Sequence, residues 1–218
     1  MASIPSDYDS NPMRWRSLDR SVQLAGDVHA EVAARLTAAR AFPTLDVGGG
    51  DGELHRHLPD TWPIVTLDSS ETMLADAAGR RVRARAEQLP IGDGRAGAVT
   101  MLWMLYHLEH PLVAIRDAWR ALRPGGLFIA CTSARSNDPE LTDGYPPTSF
   151  DAEEAAEIVG QVFSDIEVER WDDKLTLLND QEAVRRYCVH HMLPPSVADE
   201  VRAPLVLTKR GCLIYARR

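Results

Sequence analysis

At 218 residues and 24.2 kDa, with 44% hydrophobic residues, the chain can bury one sizeable core and is short for two, so a single domain over 1–218 is predicted. Its 32 Asp and Glu against 24 Lys and Arg leave a formal charge of −8. That balance opposes the counterion-release attraction of a general nucleic-acid binder and favours a small-molecule partner. No apolar run approaches the roughly 18 to 20 residues of a membrane span, and the start lacks a signal peptide's hydrophobic centre; a soluble, cytoplasmic protein without a membrane partner is predicted.

Residues 1–26 are polar and carry Pro5, Tyr8, Pro12 and Trp15, which reads as an irregular or partly helical arm. From Asp27, a residue suited to cap a helix, Val28, Val32 and Leu36 recur every four residues and predict an amphipathic helix ending near Arg40. Apolar strand-like runs follow at 43–47, 63–67, 97–103, 126–132 and 212–216, with weaker ones at 82–86 and 164–171. Helical patterns lie between them at 51–58, 70–78, 111–122 and 151–162. In HPLVAIRDAWRAL, Leu112, Ile115, Trp119 and Leu122 fall at steps of three and four behind Pro111, which a first turn tolerates. In SFDAEEAAEIVGQVF, Asp151 and Glu154 have the spacing of a capping box. Strands alternating with helices predict an α/β fold, a doubly wound and mostly parallel sheet covered on both faces. The alternation stops after Trp171. Residues 173–210 read as a helical insertion, with Asn179 or Asp180 capping a helix to about Met192 and Pro194-Pro195 closing it, before the last strand, CLIYARR. Cys131, Cys188 and Cys212 are odd in number, widely spaced and set in apolar sequence, so buried free thiols are predicted.

The stretch TLDVGGGDGEL places four glycines in five positions between the first strong strand and a helix. In an open parallel sheet, ligands bind beyond the carboxyl ends of the strands, and glycine lets a ligand approach the main chain there. Gly48, Gly50 and Gly52 give G-x-G-x-G, which differs from the G-x-G-x-x-G of dinucleotide sites, and no Lys-Ser/Thr follows as in a phosphate-binding P-loop. Asp46 precedes the loop and suits a cationic ligand better than a phosphate. The next strand ends in Asp68, sixteen residues after Gly52, where a carboxylate can accept both hydroxyls of a ribose or cap the following helix.

These residues resemble the class I S-adenosylmethionine-dependent methyltransferases, specifically their broad small-molecule group. The resemblance covers roughly 42–133 and includes the segment EQLPIGDGRAGAVTMLWMLYHLEHPLVAIRDAWRALRPGGLFIACTS, with its Leu-Pro turn, His-Leu-x-x-Pro segment and Arg-x-Leu-x-Pro-Gly-Gly run. It implies a Rossmann-like seven-stranded sheet whose last strand is antiparallel. It also implies S-adenosylmethionine as cofactor and S-adenosylhomocysteine as product. In that picture Asp46, Gly48, Gly49, Gly50 and Gly52 embrace the methionine part, Asp68 takes the ribose, and Ser69 and Met73 flank the adenosine. Leu102 and Trp103 lie beside the transferring methyl. Arg85 stands where relatives carry an acid that contacts the adenine, leaving Ala86 or Glu87 to replace it. The chain divides accordingly into an arm and helix (1–41), a cofactor-binding core (42–172 and 211–218) and a substrate-side insertion (173–210).

An activated methyl needs an acceptor held in line, and a positioned base adds roughly 10²–10⁴ in rate. Candidate bases are His107, beside the methyl in YHLEH, and His190 and His191 in the insertion. Tyr8, Trp15, Tyr106 and Tyr187 are candidate substrate contacts, with Tyr187 and His191 one helical turn apart. Glu109 stands alone after the fourth strong strand, so no metal is expected. The predicted activity is methyl transfer to O, N or C of a small metabolite, with secondary metabolism as the setting. RNA or protein methylation, or a non-catalytic cofactor-binding module, are the alternatives.

Overall fold

A computed structural model of the chain describes residues 8–10 and 21–218. Helix α1 (Val28–Ala39) begins where Asp27 accepts from the N–H groups of His29 and Ala30, and it buries Val32, Ala33 and Leu36. The strands are β1 (Ser21–Gln23), β2 (Thr44–Val47), β3 (Ile64–Asp68), β4 (Arg80–Arg83), β5 (Ala96–Leu102), β6 (Leu122–Ser133), β7 (Asp165–Leu178) and β8 (Leu205–Arg217). The other helices are α2 (Glu53–Arg56), α3 (Glu71–Leu74), α4 (Pro111–Ala121), α5 (Ala155–Gly160), α6 (Gln181–His190) and α7 (Pro195–Glu200).

The described strands form one eight-stranded sheet in the order β1-β7-β8-β6-β5-β2-β3-β4. Pairings from β4 through β6 are parallel, and β8 runs antiparallel to both β6 and β7. Alternation along β6 explains the two covered faces: Phe128 and Ala130 join a core with Ile115, Phe150 and Phe163 under α4 and α5. Leu127, Ile129 and Cys131 join Val32, Leu36 and Leu54 under α1 and α2. Strand β5 is buried along its whole length, as expected of a central parallel strand. No described helix is long and apolar enough to cross a membrane. All three cysteines are buried and free, and burial pushes the Cys212 thiol up to about 11.

Three features depart from the expectations above. The arm supplies β1, an eighth strand, because β7 runs on past the sheet and offers Thr176–Leu178 as an edge for Ser21–Gln23. The insertion is shorter than predicted. Residues 174–178 pair with 205–208, so only 179–204, with α6 and α7, leaves the sheet; its small separate core includes Leu141, Leu178, Val184 and Leu207. Helix α5 starts at Ala155 with no side-chain cap, because the Asp151 carboxylate instead accepts from Thr148 and Arg135.

Candidate functional site

Strand β2 hands directly into the glycine loop, which Leu67 O anchors by accepting from Gly48 N at 2.7 Å and Gly49 N at 3.2 Å. Gly48 has φ +69°, and a Cβ there would lie 2.7 Å from Met104 Cβ. A Cβ on Gly49 would lie 2.3 Å from Asp46 Oδ2. The underside of the loop is therefore filled, and only residues without a side chain fit these two positions. Asp46 belongs to that underside. It is 2% exposed and accepts from Thr100 Oγ1 at 2.7 Å, and burial pushes its carboxyl up to about 6. Its carboxylate braces the loop from below, where the sequence reading placed it around a ligand.

Asp68 closes the loop from the side. Its Oδ2 accepts from Gly50 N at 3.0 Å and its Oδ1 from Ser70 N at 2.8 Å. Burial raises its pKa, and these N–H groups oppose the shift. A carboxylate offers about four lone-pair sites, so two donors leave acceptor capacity for a vicinal diol. Around it, Met73 is half-buried with its Cε near the open side of Gly50, and Ser69 is exposed. Ala86 is buried and Glu87 half-buried, while Arg85, with its side chain 76% exposed, reaches Glu87 at 3.1 Å and points to water. These residues form a cradle of bare backbone, a carboxylate with spare acceptor capacity and the half-buried Met73.

At the end of β5, Leu102 is buried and Trp103 has φ +55°. The unusual backbone turns neighbours to opposite faces, Met104 to the α4 side and Trp103 to the α1 side, where its ring meets Trp171 at 6.0 Å, edge to face. Tyr106 and His107 occupy a short 3-10 turn with ring centroids 4.5 Å apart, and burial pushes the Tyr106 phenol up. Two arm residues meet this region. Tyr8 OH and His107 Nε2 lie 2.6 Å apart. Asp9 Oδ1 accepts from Ser70 Oγ at 2.5 Å and from Thr72 N at 3.2 Å. The arm thus reaches both the β5 end and the α3 start, on either side of the glycine loop. Trp15 lies outside the described residues.

A cleft of about 160 Å³ opens beside Trp103, lined among others by Gln23, Glu31, Trp103, Trp171, Lys209 and Arg210. A larger hollow of about 680 Å³ between α1 and residues 56–59 is a shallow outer groove with Ala30, Ala33, Ala34 and Ala38 in its wall, and no glycine of the loop lines it. Tyr187, His190 and His191 do not line the cleft. Tyr187 is 5% exposed and sits behind it, stacked on His191 at 3.9 Å, so the predicted one-turn pair exists but packs α6 instead of facing a ligand. His190 and His191 are half-buried with rings 4.8 Å apart. Sequence reading missed Lys209, Glu31 and Asp138, the last a fully buried aspartate that holds Lys209. A lysine interrupting the apolar run LVLTKRG was the available signal for one of them. Asp151, Glu153 and Glu154 form an acidic cluster, but Arg135 lies within 4.0 Å of each and supplies its countercharge.

A protein-family model described as a methyltransferase domain matches residues 45–130. The ubiquinone/menaquinone biosynthesis C-methyltransferase UbiE of Methylobacterium nodulans is 33% identical over 132 residues, covering 54% of this chain and 52% of that protein. The chain spans about half the length of the curated relatives it matches. Among solved structures, the [4+2]-cyclase SpnF aligns over 99% of both chains with a TM-score of 0.63 at 17% identity. A Haemonchus contortus phosphoethanolamine N-methyltransferase, solved with S-adenosylhomocysteine, gives a TM-score of 0.63 at 15% identity over 98% of this chain and 58% of that one. At these identities the structural matches speak for the fold alone.

Proposed function

From the match of residues 45–130 to a methyltransferase domain, we propose that the chain is a class I S-adenosylmethionine-dependent methyltransferase that methylates a small-molecule acceptor, leaving S-adenosylhomocysteine. The observation that carries the reading is the Asp68 carboxylate, tied to Gly50 N at 3.0 Å and still able to accept from a diol. When bound, the cofactor supplies a sulfonium methyl already activated for displacement. The chain's own residues bind, orient and shield. Asp68 receives the ribose hydroxyls, Ser69 and Met73 border the adenosine, and Ala86 and Glu87 flank the adenine side. Leu102 and Trp103 form the edge nearest the acceptor. Tyr8 and Asp9 strap the arm across this region through His107 and Ser70, which limits water. His107 serves that strap, since its Nε2 faces Tyr8.

A small acceptor is favoured over a polymer on two grounds. The cleft beside Trp103, about 160 Å³, is close to the volume that holds a single six-membered ring. The charge of −8 gives RNA no electrostatic welcome. Calorimetric titration with S-adenosylhomocysteine tests the cofactor assignment. Asp68→Ala removes acceptors for two hydroxyls, each charge-assisted bond being worth roughly 1.5–3 kcal/mol, so affinity should fall by tenfold or more. Gly50→Val, at φ +52° and beside Met73, should abolish binding. Unchanged affinity in both folded variants would refute the assignment.

A further inference from the structure

We propose that Lys209 takes the proton of the methyl acceptor, and that the acceptor it fits is a phenol or enol carried on a small ring. The inference rests on the methyltransferase reading and adds the acceptor's chemistry to it. Lys209 lines the cleft beside Trp103 and keeps a side-chain exposure of 20%. Its Nζ donates to Asp138 Oδ1 at 2.7 Å and to Tyr187 Oη at 2.5 Å. Behind it lies a buried, hydrogen-bonded frame. Asp138, fully buried, accepts from Tyr187 OH at 2.9 Å, Tyr145 OH at 3.0 Å and Asn137 Nδ2 at 2.8 Å. Two of the amine's tetrahedral positions are thereby committed to Asp138 and Tyr187. In the neutral amine, with both N–H groups so donated, the lone pair is the position left for a ligand in the cleft.

The charges around this nitrogen favour that role. Burial pushes the Lys209 amine below its usual range, while Asp138 and Glu140 oppose the shift. Arg210, the next residue, is held by Asp172 at 3.0 Å, and Glu31 faces the cleft from α1. A phenol ionises near 10 and an ordinary amine near 10.4, so even a lowered amine lies within reach of a phenol's proton, and of a more acidic phenol's most readily. An aliphatic hydroxyl, with an acidity nearer that of water, is out of reach. The Trp103 and Trp171 walls suit a planar ring.

The step balances. The acceptor O–H proton moves to the Nζ lone pair, and an oxygen electron pair forms the O–CH₃ bond. The S–CH₃ bond breaks with its pair remaining on sulfur. The ammonium so formed is paired by Asp138 and returns its proton to solvent when product leaves.

The test uses the full chain saturated with S-adenosylhomocysteine and para-nitrophenol as probe, following phenolate absorbance against pH. In the wild type the bound probe should ionise at lower pH than the free probe, with at least a tenfold higher phenolate ratio at a given pH. Lys209→Met should remove the effect. Because that variant strands the buried Asp138 charge, the paired D138N/K209M chain, which removes both charges, serves where folding fails. Tyr187→Phe, which removes one anchor, should reduce the effect, and S-adenosylhomocysteine affinity should hold in all variants. Equal probe ionisation in wild type and D138N/K209M, or no probe uptake by a wild type that binds S-adenosylhomocysteine, overturns the proposal. A wild type that fails to bind S-adenosylhomocysteine overturns the methyltransferase reading itself.

Discussion

Asp46 and Asp68 sit on neighbouring strands under one loop, and burial raises the pKa of both, yet their surroundings give them different work. Asp68 is half-buried and accepts from two backbone donors; Asp46 faces inward with one hydroxyl. The difference has a consequence for stability. An acid whose folded pKa lies above its unfolded value favours folding while protonated. That contribution is complete below about 4 and is lost as pH rises through the folded value of about 6. At about 1.4 kcal/mol per pH unit, holding Asp46 ionised costs roughly 3 kcal/mol at neutral pH. Asp46→Asn keeps the shape and an acceptor for Thr100, so urea unfolding should show the variant more stable than wild type at pH 7. The gap should narrow as pH falls toward 4. A variant less stable at pH 7 would mean that the ionised carboxylate has a partner that contributes more than burial costs. The local spacing of the glycines and Asp68 was legible in sequence because backbone freedom and a strand-end carboxylate are short-range signals. Asp46's bracing role was hidden, since Thr100 lies 54 positions away.

Among the elements, α1 and α4 were readable because their start signals, the Asp27 cap and Pro111 in the first turn, and their apolar steps lie within one segment. Strand β1 was not. Three residues carry no usable periodicity, and its pairing with Thr176–Leu178 exists only once β7 has extended past the sheet. The same extension turned part of the predicted insertion into strand and carried Lys209 to the cleft, far in sequence from Asp138 and Trp103. The arm is the element most open to test. Asp9 accepts two hydrogen bonds at the start of α3, and Tyr8 meets His107 at 2.6 Å. At about 1 kcal/mol per net bond, Tyr8→Phe should speed release of bound S-adenosylhomocysteine by about fivefold in stopped-flow displacement, and Asp9→Ala should speed it in the same direction. Unaltered release in the double variant would show that the arm does not cover the bound nucleoside.

Taken whole, the molecule is one sheet with two covered faces, a glycine loop at the carboxyl end of its middle strands and a ring-sized cleft beside it. On the proposed reading this layout divides the work: β2 and β3 with their loops would bind the cofactor, and the ends of β5, β7 and β8 would receive the acceptor. Its charge of −8 turns it away from polyanions. The acceptor's chemistry could not be read from sequence, because the cleft draws on β1, α1, β5, β6, β7 and β8 at once. The measurement that bears most directly on the account is transfer of label from methyl-labelled S-adenosylmethionine into a cell extract separated into small-molecule, RNA and protein fractions. Label is predicted in the small-molecule fraction, dependent on Asp68. Label confined to RNA or protein, or no transfer to any fraction by a chain that binds the cofactor, would contradict it.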